Sequence, residues 1–184
     1  MLPTSQQTIG PFFPRGFIGP ADNDLTRISA DATPTTQGEA IILRGTVTRV
    51  GGVPCVNAIL EMWQADAAGR FNADPSFLGW GRTFTDAEGH YAFRTIIPGG
   101  FTDATGARAP HANITVMGAG LMRRVLTTVF FPGSDTAQDP VMAAVPTALR
   151  PLLVAEPARR EKGVRCFRFD IRLRGENETP FFDL

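Results

Sequence analysis

Ala-Pro-His-Ala-Asn-Ile-Thr-Val-Met-Gly, residues 109–118, is the segment from which the fold of this chain is predicted most directly. From Ala112 onward polar and apolar residues alternate, and this period of two is typical of a half-buried β-strand. Pro110 suits the start of such a strand, where no backbone donor is needed. His111 and Asn113 are two residues apart, so their side chains project from the same face. Two nitrogen-bearing side chains in that arrangement could form half of a metal site.

The same alternation recurs along the rest of the chain from Glu39 onward. We predict further strands at residues 40–50, 58–64, 81–85, 90–97, 124–131 and 165–174. Only residues 139–160 suggest helix, because Asp139 can cap a helix and Pro140 suits the first helical position, whereas three further prolines keep any helix short. The predicted fold is therefore mainly β: an antiparallel β-sandwich of about seven to nine strands, with an irregular N-terminal arm and short helices near 139–160.

The first 38 residues differ from the rest of the chain. They are rich in Pro, Gly, Thr and Asp and show no periodicity, yet Phe12, Phe13 and Phe17 are too apolar for a freely solvated tail. We therefore divide the chain into an N-terminal arm, residues 1–38, and a β-sandwich domain, residues 39–184. The residues alone leave two interpretations of the arm open: it folds back over its own core, or it packs on another subunit.

Composition excludes several classes of function. The chain has 184 residues, enough for one domain with a substantial core, and its 18 basic and 18 acidic side chains cancel. Without a basic field or a run of Lys and Arg, we expect no binding to nucleic acid or to acidic membranes. No window is long and apolar enough for a membrane span, and the first residues do not resemble a signal peptide, so we expect a cytoplasmic location. We expect Cys55 and Cys166 to be buried thiols rather than a disulfide.

The residues that metal or nucleophilic chemistry would need are scarce. The chain has two histidines, His90 and His111, and a single tyrosine, Tyr91. We expect His90 at the surface, Tyr91 in a sheet and His111 to be a hydrogen-bonded structural residue. A zinc site needs clustered Cys and His ligands, and ferric iron needs anionic oxygen donors such as tyrosinate. We find no serine-nucleophile elbow and no phosphate-binding loop, so we predict no catalytic set and no metal site in this chain, which disfavours an independent zinc or iron enzyme.

Several longer motifs, taken together, resemble a known enzyme family. They are Ser5–Phe12, Leu43–Val47, Leu60–Phe71, Gly81–Gly99, Arg108–Asn113, Phe167–Arg172 and Gly175–Asp183. Their combination is similar to the intradiol ring-cleavage dioxygenases, and within that family to the α chains of its two-chain members. Any one of these fragments alone would be weak, but together they cover nearly the whole chain.

The resemblance implies a division of labour between two chains. In the family the iron-bearing β chain carries a His-x-His pair on this strand and two tyrosine ligands. Here the first histidine corresponds to His111 and the second position holds Asn113. The two segments in which the tyrosines would fall, Gly69–Trp80 and Gly99–Arg108, contain none. The resemblance therefore implies that Fe(III) is carried by a partner β chain in a higher α/β oligomer, and that Arg108, His111 and Asn113 form a vestigial site. Arg108, which matches an arginine of the catalytic β chains, is here either a relic of that site or one partner of a structural ion pair.

The resemblance also implies a contribution to the partner's substrate pocket. The family's α chains extend an N-terminal segment toward the β-chain site, where a small aromatic substrate binds, and here that segment comprises Thr8, Gly10, Pro11 and Phe12. Phe12 stands where relatives have tyrosine, so a hydroxyl contact is lost. Some relatives also carry an arginine that aligns with Ala119, and Arg123 or Arg124 is our candidate to take over its contact with the substrate.

Two functions from different classes follow from these expectations. The first is the α subunit of an α/β intradiol dioxygenase, which lacks the ferric ligands itself and completes the pocket of an iron-bearing β subunit. The second is a non-catalytic binding or assembly module of the same β-sandwich fold. A neighbouring reading frame for a similar chain with His-x-His and two tyrosines would favour the first function.

Overall fold

The computed structural model describes residues 14–73, 75–118 and 120–182, and in these residues the chain is built mainly from strands. The only α-helix of the described residues is α1, Pro140–Ala144, and single 3₁₀ segments occur at Arg15–Phe17, Val50–Gly52 and Thr147–Leu153. The strands are β1 Ala40–Thr48, β2 Ile59–Gln64, β3 Trp80–Phe84, β4 His90–Ile96, β5 Phe101–Asp103, β6 Gly106–Arg108, β7 His111–Met117, β8 Val125–Phe130, β9 Glu156–Glu161, β10 Val164–Arg168 and β11 Ile171–Arg172.

The strands form two packed sheets and one short hairpin. In the first sheet β1 is central: β4 lies on one side, while β10 and β11 follow each other along the other side and β9 pairs with β10. The second sheet has the order β3-β2-β7-β8, and β5 and β6 form the separate hairpin. The mainly β sandwich predicted from the sequence is confirmed, with eleven strands in the described residues rather than about seven to nine. The additional strands are the short β5 and β6, the edge strand β9, and β11, which is separated from β10.

The alternating residues of both sheets build one hydrophobic core. Along β1 every second residue is buried, and on β7 the apolar residues between His111 and Met117 point inward. The largest fully buried side chains of this core include Leu43, Phe93, Phe167, Leu60, Met62 and Ile114. Burying each such side chain contributes roughly 1.5–3 kcal/mol, so this shared core holds the two sheets face to face.

The segment predicted as a single strand at residues 165–174 is divided in two. β10 ends at Arg168 and β11 begins at Ile171, and both pair with β1 in parallel rather than antiparallel fashion. The ladder is interrupted because the Asp170 carboxylate accepts the Thr46 amide at 3.0 Å, and the Phe169 carbonyl accepts the Tyr91 hydroxyl instead. The prediction of an uninterrupted strand here was wrong by these two residues.

Residues 156–160, which the sequence placed in the region of short helices, form part of strand β9. β9 is an edge strand paired antiparallel with β10, and nearly all of its side chains are exposed. Its sequence Glu-Pro-Ala-Arg-Arg-Glu therefore lacks alternation, and its charges and proline protect the edge from pairing with another chain. The short helices end at Leu153.

Part of the predicted arm lies against the chain's own strands. The Leu25 amide donates to the Arg94 carbonyl at 2.8 Å, the Arg82 amide donates to the Asp22 carbonyl at 2.8 Å, and Leu25 is buried in the core. A side chain at Gly81 would meet the Asp22 carbonyl oxygen at 2.5 Å, so glycine lets this segment approach β3 closely. Residues 1–13 of the arm lie outside the described residues, and packing of the arm on a partner stays a prediction.

Among the residues that the structure describes, no helix has the length and apolar character needed to cross a membrane.

Candidate degenerate metal site on strand β7

Strand β7 presents His111 and Asn113 on the outer face of the second sheet, as the sequence predicts. β7 lies between β2 and β8, where Asn113 is opposite Trp63 and Thr128, and His111 is opposite Phe130. The alternation that points Ala112, Ile114 and Val116 into the core turns the two polar side chains away from it. His111 is nevertheless only 5% exposed, because other side chains cover this end of the strand.

Both ring nitrogens of His111 have partners within the chain. The Nδ1 atom lies 2.7 Å from the Ala109 carbonyl oxygen, so it donates a proton there and Nε2 is left as an acceptor. The Nη2 atom of Arg108 lies 3.3 Å from Nε2 and donates to it. Burial is the largest cause of a lowered pKa of His111, the hydrogen bond to Ala109 opposes it, and the Arg108 charge adds to the lowering. His111 is therefore a neutral imidazole whose only lone pair faces a guanidinium.

Arg108 joins three parts of the chain at this site. Its Nε atom lies 3.2 Å from the Asp139 carboxylate, and its Nη1 atom lies 3.4 Å from the Asp103 carboxylate. The Asp139 side chain is completely buried and also accepts the Ala109 amide at 2.9 Å and the Val141 amide at 2.9 Å. Arg108 thus connects the β5–β6 hairpin, the start of α1 and strand β7 through one buried cation.

The carboxamide oxygen of Asn113 also has a partner inside the protein. The Thr128 hydroxyl on β8 donates to the Asn113 Oδ1 atom at 2.8 Å, and Thr128 is only 2% exposed. This side-chain pair spans the β7–β8 ladder directly, which is a stabilising arrangement for polar residues on one sheet face. The carboxamide oxygen therefore already accepts a hydrogen bond from a neighbouring strand.

Aromatic rings fill the space next to His111. The Phe101 ring centroid is 5.5 Å from that of the imidazole, and the Phe130 ring centroid is 5.8 Å from it. Phe71 packs edge-on against Phe101 at 5.2 Å and stacks on Trp63 at 6.0 Å. This row of rings runs from the partly exposed Trp63 to the fully buried Phe130 and covers the imidazole from solvent.

The remaining sequence-predicted residues lie elsewhere. Arg123 and Arg124 are exposed in the loop between β7 and β8, which follows Met117 at the far end of β7. Met117 is six positions along the strand from His111, which corresponds to roughly 20 Å. Tyr91 is buried in the first sheet, where its hydroxyl donates to the Phe169 carbonyl at 2.6 Å. The structure therefore brings together Arg108, His111 and Asn113 but neither the two loop arginines nor the only tyrosine.

Comparison with known proteins identifies the family. A sequence model described as "Dioxygenase" matches residues 8–175. The chain is 37% identical over 179 residues to the protocatechuate 3,4-dioxygenase β chain of Burkholderia cepacia, covering 89% of this chain and 76% of that one. It is 35% identical over 194 residues to the α chain of the enzyme from the same organism, covering 98% and 97%. The chain belongs to the intradiol dioxygenase family.

The solved structures agree with this assignment. The dioxygenase domain of a dioxygenase carbohydrate-binding protein fusion from Streptomyces sp. SirexAA-E superposes with a TM-score of 0.62 at 25% identity, covering 97% of this chain and 99% of that one. Identity alone does not assign this dioxygenase-family chain to the α or the β type, because its values for the two Burkholderia chains are nearly equal.

The intradiol dioxygenases use non-heme Fe(III), and the described side chains around His111 do not fit that ion. Ferric iron needs anionic oxygen donors and free lone pairs. His111 Nε2 already accepts from Arg108, Asn113 Oδ1 is a neutral oxygen that accepts from Thr128, and the only phenol of the chain is buried in the other sheet. The two segments in which the family resemblance places tyrosine ligands instead supply Phe71 and Phe101 to the row of rings, without a hydroxyl.

Sequence reasoning missed the acidic partners of Arg108. Asp139 was recognised only as a helix cap, a role that the structure confirms because its side chain accepts the Val141 and Met142 amides. Its second role follows from a contact 31 residues away along the chain, for which the sequence carries no local signal.

A second group of polar side chains also escaped the sequence reasoning. Asp86, Glu88 and His90 place one potential ligand atom each within 4.8 Å on the β3–β4 hairpin. All three residues are exposed, and the Asp86 carboxylate already accepts the Glu88 and His90 amides and contacts the His90 ring. The surface position predicted for His90 is confirmed.

Proposed function

We propose that this chain is the α subunit of a protocatechuate 3,4-dioxygenase. In that enzyme O2 opens the ring of protocatechuate between its two hydroxyl-bearing carbons and forms 3-carboxy-cis,cis-muconate. The chain would carry no iron itself and would complete the pocket of an iron-bearing β subunit in a cytoplasmic α/β oligomer. The observation that carries this proposal is the set of contacts at the His111–Asn113 pair, in which Arg108 donates to the free ring nitrogen of His111 and Thr128 donates to the neutral carboxamide oxygen that stands in place of a second imidazole.

The relatives support the same assignment. Two curated relatives are named as the α and β chains of one enzyme, protocatechuate 3,4-dioxygenase of Burkholderia cepacia. The alignment with the α chain extends from end to end of both proteins, whereas the alignment with the β chain leaves about a quarter of that chain unmatched. The more complete alignment with the α chain and the missing ligand set together favour the α role.

The contribution of this chain to catalysis would be to shape the pocket. Thr8, Gly10, Pro11 and Phe12 would close over the partner's iron site, exclude water and orient the substrate ring. Arg123 and Arg124 are exposed cations of the loop before β8, and we propose that they attract the substrate carboxylate in place of an arginine at the Ala119 position. Arg108, His111 and Asn113 would remain a vestigial site with a structural role.

The first test compares iron content and oxygen uptake of the chain purified alone and co-expressed with a candidate β chain. We expect negligible iron in the isolated chain, and about one iron per α/β pair together with protocatechuate-dependent oxygen uptake in the complex. The variant Asn113→His restores His-x-His but leaves Arg108 on His111, so it should also purify without iron. Stoichiometric iron and ring cleavage by the isolated chain would refute the proposal.

A second test addresses the pocket role. Deletion of residues 1–12 should lower kcat/KM of the complex for protocatechuate, and Arg123→Gln with Arg124→Gln should raise KM more than it lowers kcat, because these charges act in binding. Arg159→Gln with Arg160→Gln removes the same charge from exposed positions on β9 and serves as the matched control. Unchanged kinetics in both test variants would instead favour the assembly-module function.

A further inference from the structure

A cavity of about 330 Å³ lies at the end of the sandwich where β1 and β11 finish. Its wall includes Thr46 and Thr48 of β1, Arg49 and the two glycines that follow it, and Arg172 and Arg174 at the end of β11. From these residues we propose that the cavity is a binding site for a small, multiply charged oxyanion of the phosphate or polycarboxylate class. This site is separate from His111 and does not depend on the proposed subunit function.

The charge of the cavity wall favours an anion. Among the described residues, Arg49, Arg172 and Arg174 form no ion pair with a carboxylate, although other arginines of the first sheet do, such as Arg44 with Glu161 and Arg168 with Glu156. Three guanidiniums that line one cavity without direct ion pairs repel one another, and an oxyanion relieves that repulsion through charge-assisted hydrogen bonds.

Two carboxylates also line the cavity and reduce its positive charge. Asp170 is already committed, because it accepts the Thr46 amide at 3.0 Å and lies 3.8 Å from the Arg168 Nε atom. Glu176 forms no ion pair within the described residues, so its carboxylate opposes an incoming anion. The three arginines outnumber the two carboxylates, and one of these carboxylates, Asp170, already has partners. The wall therefore remains positively charged.

The chain holds these groups in place from both sides. Thr48 lies opposite Arg172 in the parallel β1–β11 ladder, so hydroxyl and guanidinium leave the sheet side by side. Arg172 is held in place by two hydrogen bonds. Its backbone amide donates to the buried Thr179 hydroxyl at 2.9 Å, and its Nη1 atom donates to the Glu176 carbonyl at 3.2 Å. On the other side the Arg49 Nη2 atom donates to the Pro54 carbonyl at 3.2 Å. Each anchored guanidinium keeps further N–H donors for a ligand.

The size of the cavity limits the ligand. Small-molecule sites range from about 300 to 1,000 Å³, so this one is at the lower end and suits a compact anion rather than a nucleotide or a peptide. Gly51 and Gly52 have φ angles of 72° and 75°, and no atom lies within 4 Å of a Cβ built at either position. The absence of side chains there keeps one wall open for entry.

The test is a titration of the full-length chain with inorganic phosphate alone and with citrate alone, at low ionic strength and followed by calorimetry. We expect saturable binding of at least one of them with a dissociation constant below about 10 mM. Arg172→Gln with Arg174→Gln should weaken that binding at least about tenfold, since each guanidinium supplies charge-assisted hydrogen bonds. Glu176→Gln should strengthen it by about threefold, since a repulsive charge is removed.

The control variant Arg159→Gln with Arg160→Gln removes two charges outside the cavity and should leave binding unchanged. Phosphate binding alone identifies the phosphate class, and citrate binding alone identifies the polycarboxylate class; each outcome supports the site. No saturable binding of either anion below about 10 mM would overturn the proposal. Equal losses in the cavity and control variants, or weaker binding in Glu176→Gln, would also overturn it, because the attraction would then be general rather than local.

Discussion

Replacing Arg108 by glutamine should lower the free energy of unfolding by about 3 kcal/mol. Asp139 is fully buried and Arg108 is 12% exposed, so the substitution leaves a buried carboxylate without its counter-charge. Losing one partner of a buried ion pair costs about 3–5 kcal/mol. The lower value applies here because the Ala109, Val141 and Met142 amides still donate to Asp139. The contact with Asp103 adds little, since that carboxylate is partly exposed.

Urea denaturation of the purified chain, followed by tryptophan fluorescence, measures this change. Asp139→Asn serves as the second arm, because asparagine keeps an oxygen to cap α1 but removes the charge. If the two residues act as a pair, the double variant should show a coupling free energy of about 2 kcal/mol. Arg27→Gln breaks the more exposed pair with Asp24 and should cost no more than about 1 kcal/mol. A coupling below about 0.5 kcal/mol between Arg108 and Asp139 would refute the reasoning.

Three further perturbations follow from the described contacts. The pKa of His111 is lowered in the folded chain, so the unfolded chain, in which it is near the ordinary value of 6.5, binds the proton more readily. The free energy of unfolding should therefore fall as the pH drops through 6.5. Urea midpoints should show this fall, and it should be less steep in His111→Gln. Gly45→Ala would drive a methyl group into the Phe169 carbonyl and should lower the free energy of unfolding by at least about 3 kcal/mol. In the control Gly16→Ala the new methyl group meets no atom within 4 Å, so stability should be nearly unchanged. A similar melting temperature for both variants would contradict this packing. Both cysteines are free and buried, so a thiol reagent should react with neither before unfolding, and fast labelling of the native chain would disprove that burial.

The strands that face the core on one side were predictable because their signal is local. β4 was expected at residues 90–97 and occupies His90–Ile96, and β7 was expected from Ala112 and begins one residue earlier. In both strands one face is packed and the other is polar or partly exposed, so burial imposes a period of two on the sequence. The position of the sandwich core could be inferred from that period alone.

The features that the sequence did not predict depend on contacts between distant residues. β9 has two exposed faces, so nothing forces alternation on it, and its strand conformation comes from pairing with β10. The break after Arg168 arises because a side chain, Asp170, replaces a backbone acceptor for β1. Parallel pairing of β1 with β10 likewise brings together segments more than 120 residues apart, which no local pattern encodes.

In the candidate site, too, some features have a local signal in the sequence and others depend on contacts between distant residues. That His111 and Asn113 share a face follows from their spacing, and the scarcity of phenol and imidazole groups follows from counting. The partner of the His111 Nε2 atom could not be predicted in the same way, because Arg108 is held beside His111 by two carboxylates from other elements. A missing ligand in a sequence indicates only that a metal would bind poorly, whereas the contacts indicate what the protein gains in its place.

A metal site stays available only while its ligand atoms lack better partners inside the protein. On β7 the two imidazole nitrogens of His111 and the carboxamide oxygen of Asn113 each have one: the Ala109 carbonyl for Nδ1, Arg108 for Nε2 and Thr128 for the oxygen. A cation that entered here would have to break the Arg108–His111 contact and place its own charge beside a guanidinium that Asp139 holds in position. The guanidinium thus already supplies the positive charge that the buried carboxylate needs. Stability of the fold and binding of iron are therefore opposed at this position, which supports the proposal that the iron belongs to a partner chain.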